Sequence, residues 1–275
     1  MTLKGANQSH QSLEAARLFE KHFESLRLKP NPHDFDESYY RAHRLRFFKT
    51  LDLIPPSKGA GTALEVGATD FFQVALGRVF GYVDVTGTYF TPNIEEKLIR
   101  RSFKVADLEA SNMSVSLNLE NELLPFGNEA LEFILCGEVI EHMDVDPMFM
   151  LSEFNRVLPV GGRVLLTTPN CCSARNFWKI AHGYRPHFFM QYEKSRSPYR
   201  HNIEYDVHAV VSLLEAAGFH PLIVETYNVF EEPVPEAEEL LRKVSLPTDH
   251  RGDCIFALAE KASLVKERWP YGIYI

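Results

Sequence analysis

Ala63-Leu64-Glu65-Val66-Gly67-Ala68-Thr69-Asp70-Phe71-Phe72 is an apolar run that delivers one acid to a glycine and then passes into a helical pattern. A short strand ending in a glycine turn ahead of a helix opens a βα unit. In an open parallel sheet the ligand lies outside the carboxyl ends of the strands. Glu65 therefore stands where it can attract an ammonium group, and Gly67 where backbone can come close to a ligand. The stretch lacks the GxGxxG pattern, so it has no phosphate cradle of the dinucleotide-binding kind.

Outward from this stretch, short apolar segments alternate with helical ones. Strands are expected at Thr62 to Val66, Tyr82 to Gly87, Val115 to Leu119, Leu131 to Cys136, Arg163 to Thr168, Pro221 to Tyr227 and Cys254 to Glu260. That alternation predicts an α/β chain with a mainly parallel sheet. The helix Met148 to Leu158 stops at Pro159-Val160-Gly161-Gly162, and Asp206 to Ala217 stops at Gly218. Residues 1–60 read as a helical N-terminal cap, with Leu13, Ala16, Leu18, Phe19 and Phe23 at helical spacing, and 61–275 as the main domain. Within the latter, 170–205 is a long polar-aromatic interruption at the carboxyl edge of a strand, the place for a substrate lid.

Composition bounds the partners. With 275 residues the chain can bury a full core without staples. Lys and Arg number 29 against 37 Asp and Glu, a net charge of −8, so a nucleic-acid partner is not expected. Nothing approaches the ~20 apolar residues of a bilayer span, and Met1 to His22 has no signal-peptide core, so a cytoplasmic protein without a membrane span is expected. Cys136, Cys171, Cys172 and Cys254 contain no CxxC pair and read as reduced thiols. Homo-oligomerisation is left open.

Three further stretches follow in order. They are Asn118-Leu119-Glu120-Asn121-Glu122-Leu123-Leu124-Pro125-Phe126, then Cys136-Gly137-Glu138-Val139-Ile140-Glu141-His142-Met143, then Arg156 to Asn170, which contains Pro159-Val160-Gly161-Gly162 and Thr167-Thr168-Pro169-Asn170. Together with Ala63 to Phe72 they resemble the class I S-adenosylmethionine-dependent methyltransferases over roughly Ala63 to Phe219. Tyr199-Arg200-His201-Asn202-Ile203-Glu204-Tyr205 and Arg268-Trp269-Pro270-Tyr271 are similar to members associated with polysaccharide and glycan biosynthesis.

The resemblance implies a doubly wound, seven-stranded Rossmann-like sheet and S-adenosylmethionine as cofactor. It implies cofactor contacts from Glu65, Gly67, Ala68, Thr69, Thr88, Asn118, Leu119, Glu120, Cys136 and Glu138. Two departures stand out. Thr69 and Phe71 replace the later glycines of the first motif, and Thr88 stands in place of the usual ribose-binding acid. The expected reaction is O-methylation of a sugar or glycan hydroxyl. The alternatives are a small-molecule or lipid acceptor, or a catalytically silent scaffold.

A neutral hydroxyl needs a base in the transition state. His142, just past the fourth expected strand, is the first candidate, with His201 and His187 in the lid behind it. Acceptor contacts are expected from Tyr40, His43 and Arg44 on an N-terminal helix, and from Arg200, Glu204 and Tyr205 in the lid. Glu138, Glu141, Asp144 and Asp146 could hold a divalent metal, but Glu138 and Glu141 share a helical face only if a helix has already begun there, so no metal is expected.

Overall fold

The computed structural model describes residues 9–28, 37–59, 61–90, 97–186 and 200–274. Their order is α1 (His10–Leu28), α2 (Glu37–Leu53), β1 (Thr62–Val66), α3 (Asp70–Arg78), β2 (Asp84–Tyr89), β3 (Leu98–Val105), β4 (Leu108–Ser116) and β5 (Phe133–Gly137). There follow a 3-10 turn (Ile140–His142), α4 (Pro147–Val157), β6 (Arg163–Pro169), α5 (Ala174–Ala181), α6 (Val207–Ala216), β7 (Phe219–Tyr227), α7 (Pro235–Lys243) and β8 (Cys254–Lys261).

The strands form one mixed sheet of eight, in the order β3-β4-β2-β1-β5-β6-β8-β7. β4, β2, β1, β5 and β6 run parallel, whereas β3 is antiparallel to β4 and β8 is antiparallel to both β6 and β7. The expectation of seven strands is corrected by β3. It is an edge strand in which Arg100, Arg101 and Lys104 interrupt the apolar residues, so it carries no buried-strand pattern. Its hairpin turn begins at Ala106, with φ +53°, instead of the glycine or asparagine that signals such turns. The strand expected at Val115 to Leu119 is displaced for the same reason: β4 pairs with β3 from Leu108 onward and ends at Ser116.

Central strands are apolar on both faces, as a parallel sheet covered by helices requires. Ala63, Phe133, Leu135 and Leu165 pack with α1, α2 and α3. The alternate residues Leu64, Val66, Ile134, Val164 and Leu166 pack with α4 and α6. Helix starts are capped by side chains: Thr69 Oγ1 accepts from Phe72 N, Asp146 Oδ1 from Phe149 N, Ser173 Oγ from Asn176 N and Asp206 Oδ1 from Ala209 N. On the first face Phe47 is fully buried, parallel to Phe72 at 5.0 Å and edge-on to Phe71 at 5.6 Å. Truncating such a residue to Ala costs about 3 to 5 kcal/mol. The N-terminal helices thus share one core with the sheet.

Candidate active site

The turn after β1 is tied from below. Glu65 is 2 % exposed, and its Oε1 accepts from Thr69 N (2.8 Å) and Thr69 Oγ1 (2.9 Å) while Oε2 accepts from Gln73 Nε2 (2.8 Å). Burial pushes its pKa up to about 8, against these three donors, which favour the charged form. The carboxylate thereby pins the turn to α3. Ala68 N donates to Thr88 O at 2.9 Å, which joins the turn to the buried end of β2.

Two glycines make the close approaches. Gly67 has φ +73°, and a Cβ there would stand 2.8 Å from Val139 Cγ2. A Cβ on Gly87 would stand 2.6 Å from Ala68 Cβ. Val139 packs against Gly67, and Ala68 with Gln73 against Gly87, so only glycine lets the β1 turn and the end of β2 come this close to their neighbours.

At the end of β5, Glu138 has φ +55°, an uncommon conformation for a residue with a side chain. Thr167 holds it there: Glu138 N donates to Thr167 O (2.9 Å), and Thr167 Oγ1 donates to Glu138 Oε1 (2.7 Å). The chain then enters the 3-10 turn that carries Glu141 and His142. Glu141 is fully buried; its Oε2 accepts from Thr168 Oγ1 at 2.9 Å, and its Oε1 has no hydrogen-bond partner. Burial, and then Glu138, push its pKa well up.

The segment from Arg200 to Glu204 wraps this rim. His142 Nδ1 lies 3.1 Å from the Arg200 carbonyl, and since a carbonyl only accepts, Nδ1 carries the proton and Nε2 the lone pair. That Nε2 lies 3.9 Å from Glu141 Oε1. Burial lowers the His142 pKa, with the Arg200 carbonyl opposing it, so the ring is neutral near neutral pH. His201 meets His142 edge-on at 4.9 Å, and its Nδ1 lies 3.3 Å from Glu204 Oε1. Asn202 Nδ2 donates to His142 O (2.8 Å), and Asn202 N to Glu141 O (2.8 Å).

From the opposite face α2 brings Arg46, which is 4 % exposed and donates from Nη2 to Tyr39 Oη at 2.9 Å. Burial opposes its charge, yet Tyr39, Glu138 and Cys254 hold the guanidinium more firmly protonated than usual. Burial and Arg46 push the neighbouring His43 down to about 4.

Several expected site residues sit elsewhere. Tyr40 is fully buried against Phe19, His22 and Phe47, so it belongs to the core and has no surface to offer an acceptor. Arg44 points outward, paired with Glu20 of α1 and stacked on Phe48. Both were read as neighbours of His43 in sequence, but the helix turns them to other faces. Cys136 is a fully buried thiol of the central strand, and Tyr205 packs in the same apolar cluster while its carbonyl accepts from Cys171 N. Glu120 spends Oε1 on the backbone amides of Val145 and Asp146, and Asn118 Oδ1 accepts from Glu120 N at 3.0 Å. Leu119 is half-buried against the core, and the Arg200 side chain is exposed. His187 lies outside the described residues.

Glu138, Asp144 and Asp146 do not join Glu141 in a metal-sized group among the described residues. Glu138 is not helical, Asp144 is exposed, and Asp146 is held by Arg268 and Tyr274. Of the lid span, α5 packs with α7 through Ala174, Ala237 and Leu241, while residues 187–199 are not described. Sequence reasoning missed Arg46, Thr168 and Asn202 as members of the rim. Arg46 had a signal, since Tyr39, His43 and Arg46 recur at helical spacing within an aromatic stretch.

Residues 64–166 match the family described as a methyltransferase domain. Among solved structures, the chain is similar to a methyltransferase of Haloferax volcanii crystallised with the Trm112 activator. The two are 11 % identical with a TM-score of 0.53 over 94 % of this chain and 98 % of that one. It is similar also to S-adenosylmethionine-dependent methyltransferases from Archaeoglobus fulgidus (17 %, 0.50, 89 % and 99 %) and Thermotoga maritima (18 %, 0.50, 90 % and 99 %). No curated protein matches the chain. The domain match and the solved structures agree on the fold, a Rossmann-like sheet of the kind found in methyltransferases. The Archaeoglobus and Thermotoga proteins are named as dependent on S-adenosylmethionine, the methyl donor that this fold commonly carries. No described helix is long and apolar enough to cross a membrane.

Proposed function

We propose that this chain methylates a hydroxyl of a polar acceptor of the sugar class, held beside Glu141, His142 and His201. One observation carries the reading: two imidazoles and a buried carboxylate converge at the rim of β5 and β6, a few residues from Val139, which closes the turn at Gly67. A chain that only bound the cofactor as a scaffold would have no use for this costly burial of polar groups.

S-adenosylmethionine, when bound, supplies a methyl group already made electrophilic by the sulfonium. The protein's part is to orient the hydroxyl and to receive its proton. His142 Nε2 presents the lone pair for that proton, because the Arg200 carbonyl holds the other nitrogen protonated. The main chain of Gly67, Ala68 and Thr69 would hold the amino-acid end of the cofactor, with Glu65 bracing the turn. Thr88 would meet the ribose, and Asn118 with Leu119 the adenine. Arg200 and His43 would face the acceptor, with Glu204 bracing His201 from behind, and their polarity favours a hydroxylated molecule over a lipid.

The test is incubation with methyl-labelled cofactor and separate sugar, lipid and small-molecule acceptor pools, followed by mass analysis. Label on a sugar oxygen is expected. Label confined to lipid or to nitrogen overturns the acceptor class, and no label in any pool, with no stabilisation by S-adenosylhomocysteine, overturns the enzyme reading.

A further inference from the structure

Glu141, His142 and His201 each offer one ligand atom, and the three atoms lie within 4.8 Å of one another. Three features distinguish this group from a chance gathering of polar side chains. Glu141 is fully buried, yet Oε1 has no hydrogen-bond partner. A buried polar oxygen without a partner is unfavourable unless a donor or a cation is brought to it. The carboxyl group is also oriented from behind, since Oε2 is taken by Thr168 Oγ1.

Both imidazoles are oriented in the same manner. His142 Nδ1 is tied to the Arg200 carbonyl, which leaves its Nε2 as the lone-pair nitrogen, and His201 Nδ1 lies 3.3 Å from Glu204 Oε1. Hydrogen bonding of the far ring nitrogen to a carbonyl or carboxylate is how proteins set the tautomer and direction of metal-bound histidines. His201 and Glu204 side chains are 10 % and 2 % exposed, so this support is itself fixed by burial.

We propose that Glu141, His142 and His201 bind a divalent first-row transition-metal cation through Glu141 Oε1 and the two Nε2 atoms. Two imidazoles with one carboxylate suit such cations better than magnesium, which takes mostly oxygen ligands. Metal–ligand bonds of about 2.0 to 2.2 Å place ligand atoms about 3 Å apart, so modest side-chain rotation closes the site from its 4.8 Å span. Three protein ligands leave coordination positions open. On the methyltransferase reading above, on which this role rests, those positions take the acceptor hydroxyl. A cation held there would lower the hydroxyl pKa so that its proton is lost to solvent, with His142 serving as ligand in place of base.

The experiment uses the untagged full chain, stripped with chelator and dialysed, then titrated with cobalt(II) while visible absorption and heat are recorded. One ion per chain is expected, with nitrogen–oxygen ligand-field bands. Binding should be lost in His201→Ala, His142→Ala and Glu141→Gln, and weakened about 10- to 100-fold in Glu204→Gln, which removes only the support behind His201. Cys171, Cys172 and Asp206 form the other cluster of this kind among the described residues. Cobalt binding that shows thiolate charge-transfer bands, or that disappears in Cys171→Ser, overturns the assignment. So does the absence of binding, or binding that persists in both histidine variants. Stabilisation by S-adenosylhomocysteine is measured in the same samples. If it persists while cobalt fails to bind, the metal site fails and the methyltransferase reading stands; if it is absent while cobalt binds, the reverse holds.

Discussion

The Arg200 carbonyl accepts a hydrogen bond from Nδ1 of His142 at 3.1 Å, across 58 residues of chain. This one contact chooses the tautomer of the rim histidine and so decides which nitrogen faces the buried oxygen of Glu141. Because the contact uses the Arg200 main chain, changing the Arg200 side chain leaves it in place. Arg200→Ala should therefore weaken acceptor use, seen as a raised KM for the acceptor, while the affinity for S-adenosylhomocysteine stays the same. Equal loss of both would place the side chain in the cofactor site or the core.

His142→Ala should lower turnover by about 10² to 10⁴-fold with little change in cofactor affinity. The prediction holds whether His142 acts as base or as ligand, because its Nε2 either takes the hydroxyl proton or holds the cation that activates the hydroxyl. Single-turnover methyl transfer at saturating cofactor is the measurement, and near-normal turnover would take the residue out of the chemistry.

The turn at Gly67 predicts a ligand-linked loss. S-adenosylhomocysteine at ~100 times its Kd should stabilise the native chain by about 2.7 kcal/mol, read as a rise in Tm. Gly67→Val should abolish that rise, because at φ +73° a side chain strains the turn and presses on Val139, deforming the backbone that would hold the ligand. Gly67→Ala, which adds only the Cβ, serves as the milder variant, and its ligand-dependent rise should shrink markedly.

Glu65 gives the chain a pH signature. Its folded-state pKa is raised to about 8 from an ordinary 4.5, with burial as the cause. The folded chain therefore holds a proton that the unfolded chain has lost in this window. The stabilisation is complete below about pH 4.5 and is lost as pH rises toward 8, at up to about 1.4 kcal/mol per pH unit. Denaturant unfolding between pH 5 and 8.5 should show a falling contribution in the wild type that Glu65→Gln lacks. Parallel curves would mean that the three donors around the carboxylate hold it charged throughout.

Arg46 lies buried against Tyr39 and close enough to Glu138 to feel its charge. Removing it leaves the acids at the ends of β5 and the 3-10 turn without their buried counter-charge. Arg46→Met should cost about 3 to 5 kcal/mol, whereas Tyr39→Phe, which removes one hydrogen bond, should cost about 1 kcal/mol. Chemical denaturation of the two variants distinguishes them, and equal small losses would show that the guanidinium is not compensating the acids.

The sequence by itself determined the α/β class, the central strands and the helix stops. Strands buried on both faces must be apolar throughout, and helix ends must satisfy their free amides and carbonyls with specific residues; both requirements are written locally. Glu65 and Gly67 were legible for the same reason, since a strand end and a glycine turn are local features. Only the tertiary structure decided the rest. β3 is polar because it sits at an edge, so its partner β4, and no pattern of its own, makes it a strand. Tyr40 and Arg44 flank His43 in the chain, but packing sends one into the core and the other to Glu20. The rim cluster joins Glu141 and His142 to His201, about sixty residues away, through contacts that periodicity cannot express. Burial then set the charges: it raised the pKa of Glu141, lowered that of His142 and left one carboxylate oxygen bare. Desolvation depends on what covers a group, and what covers Glu141 arrives from distant parts of the chain.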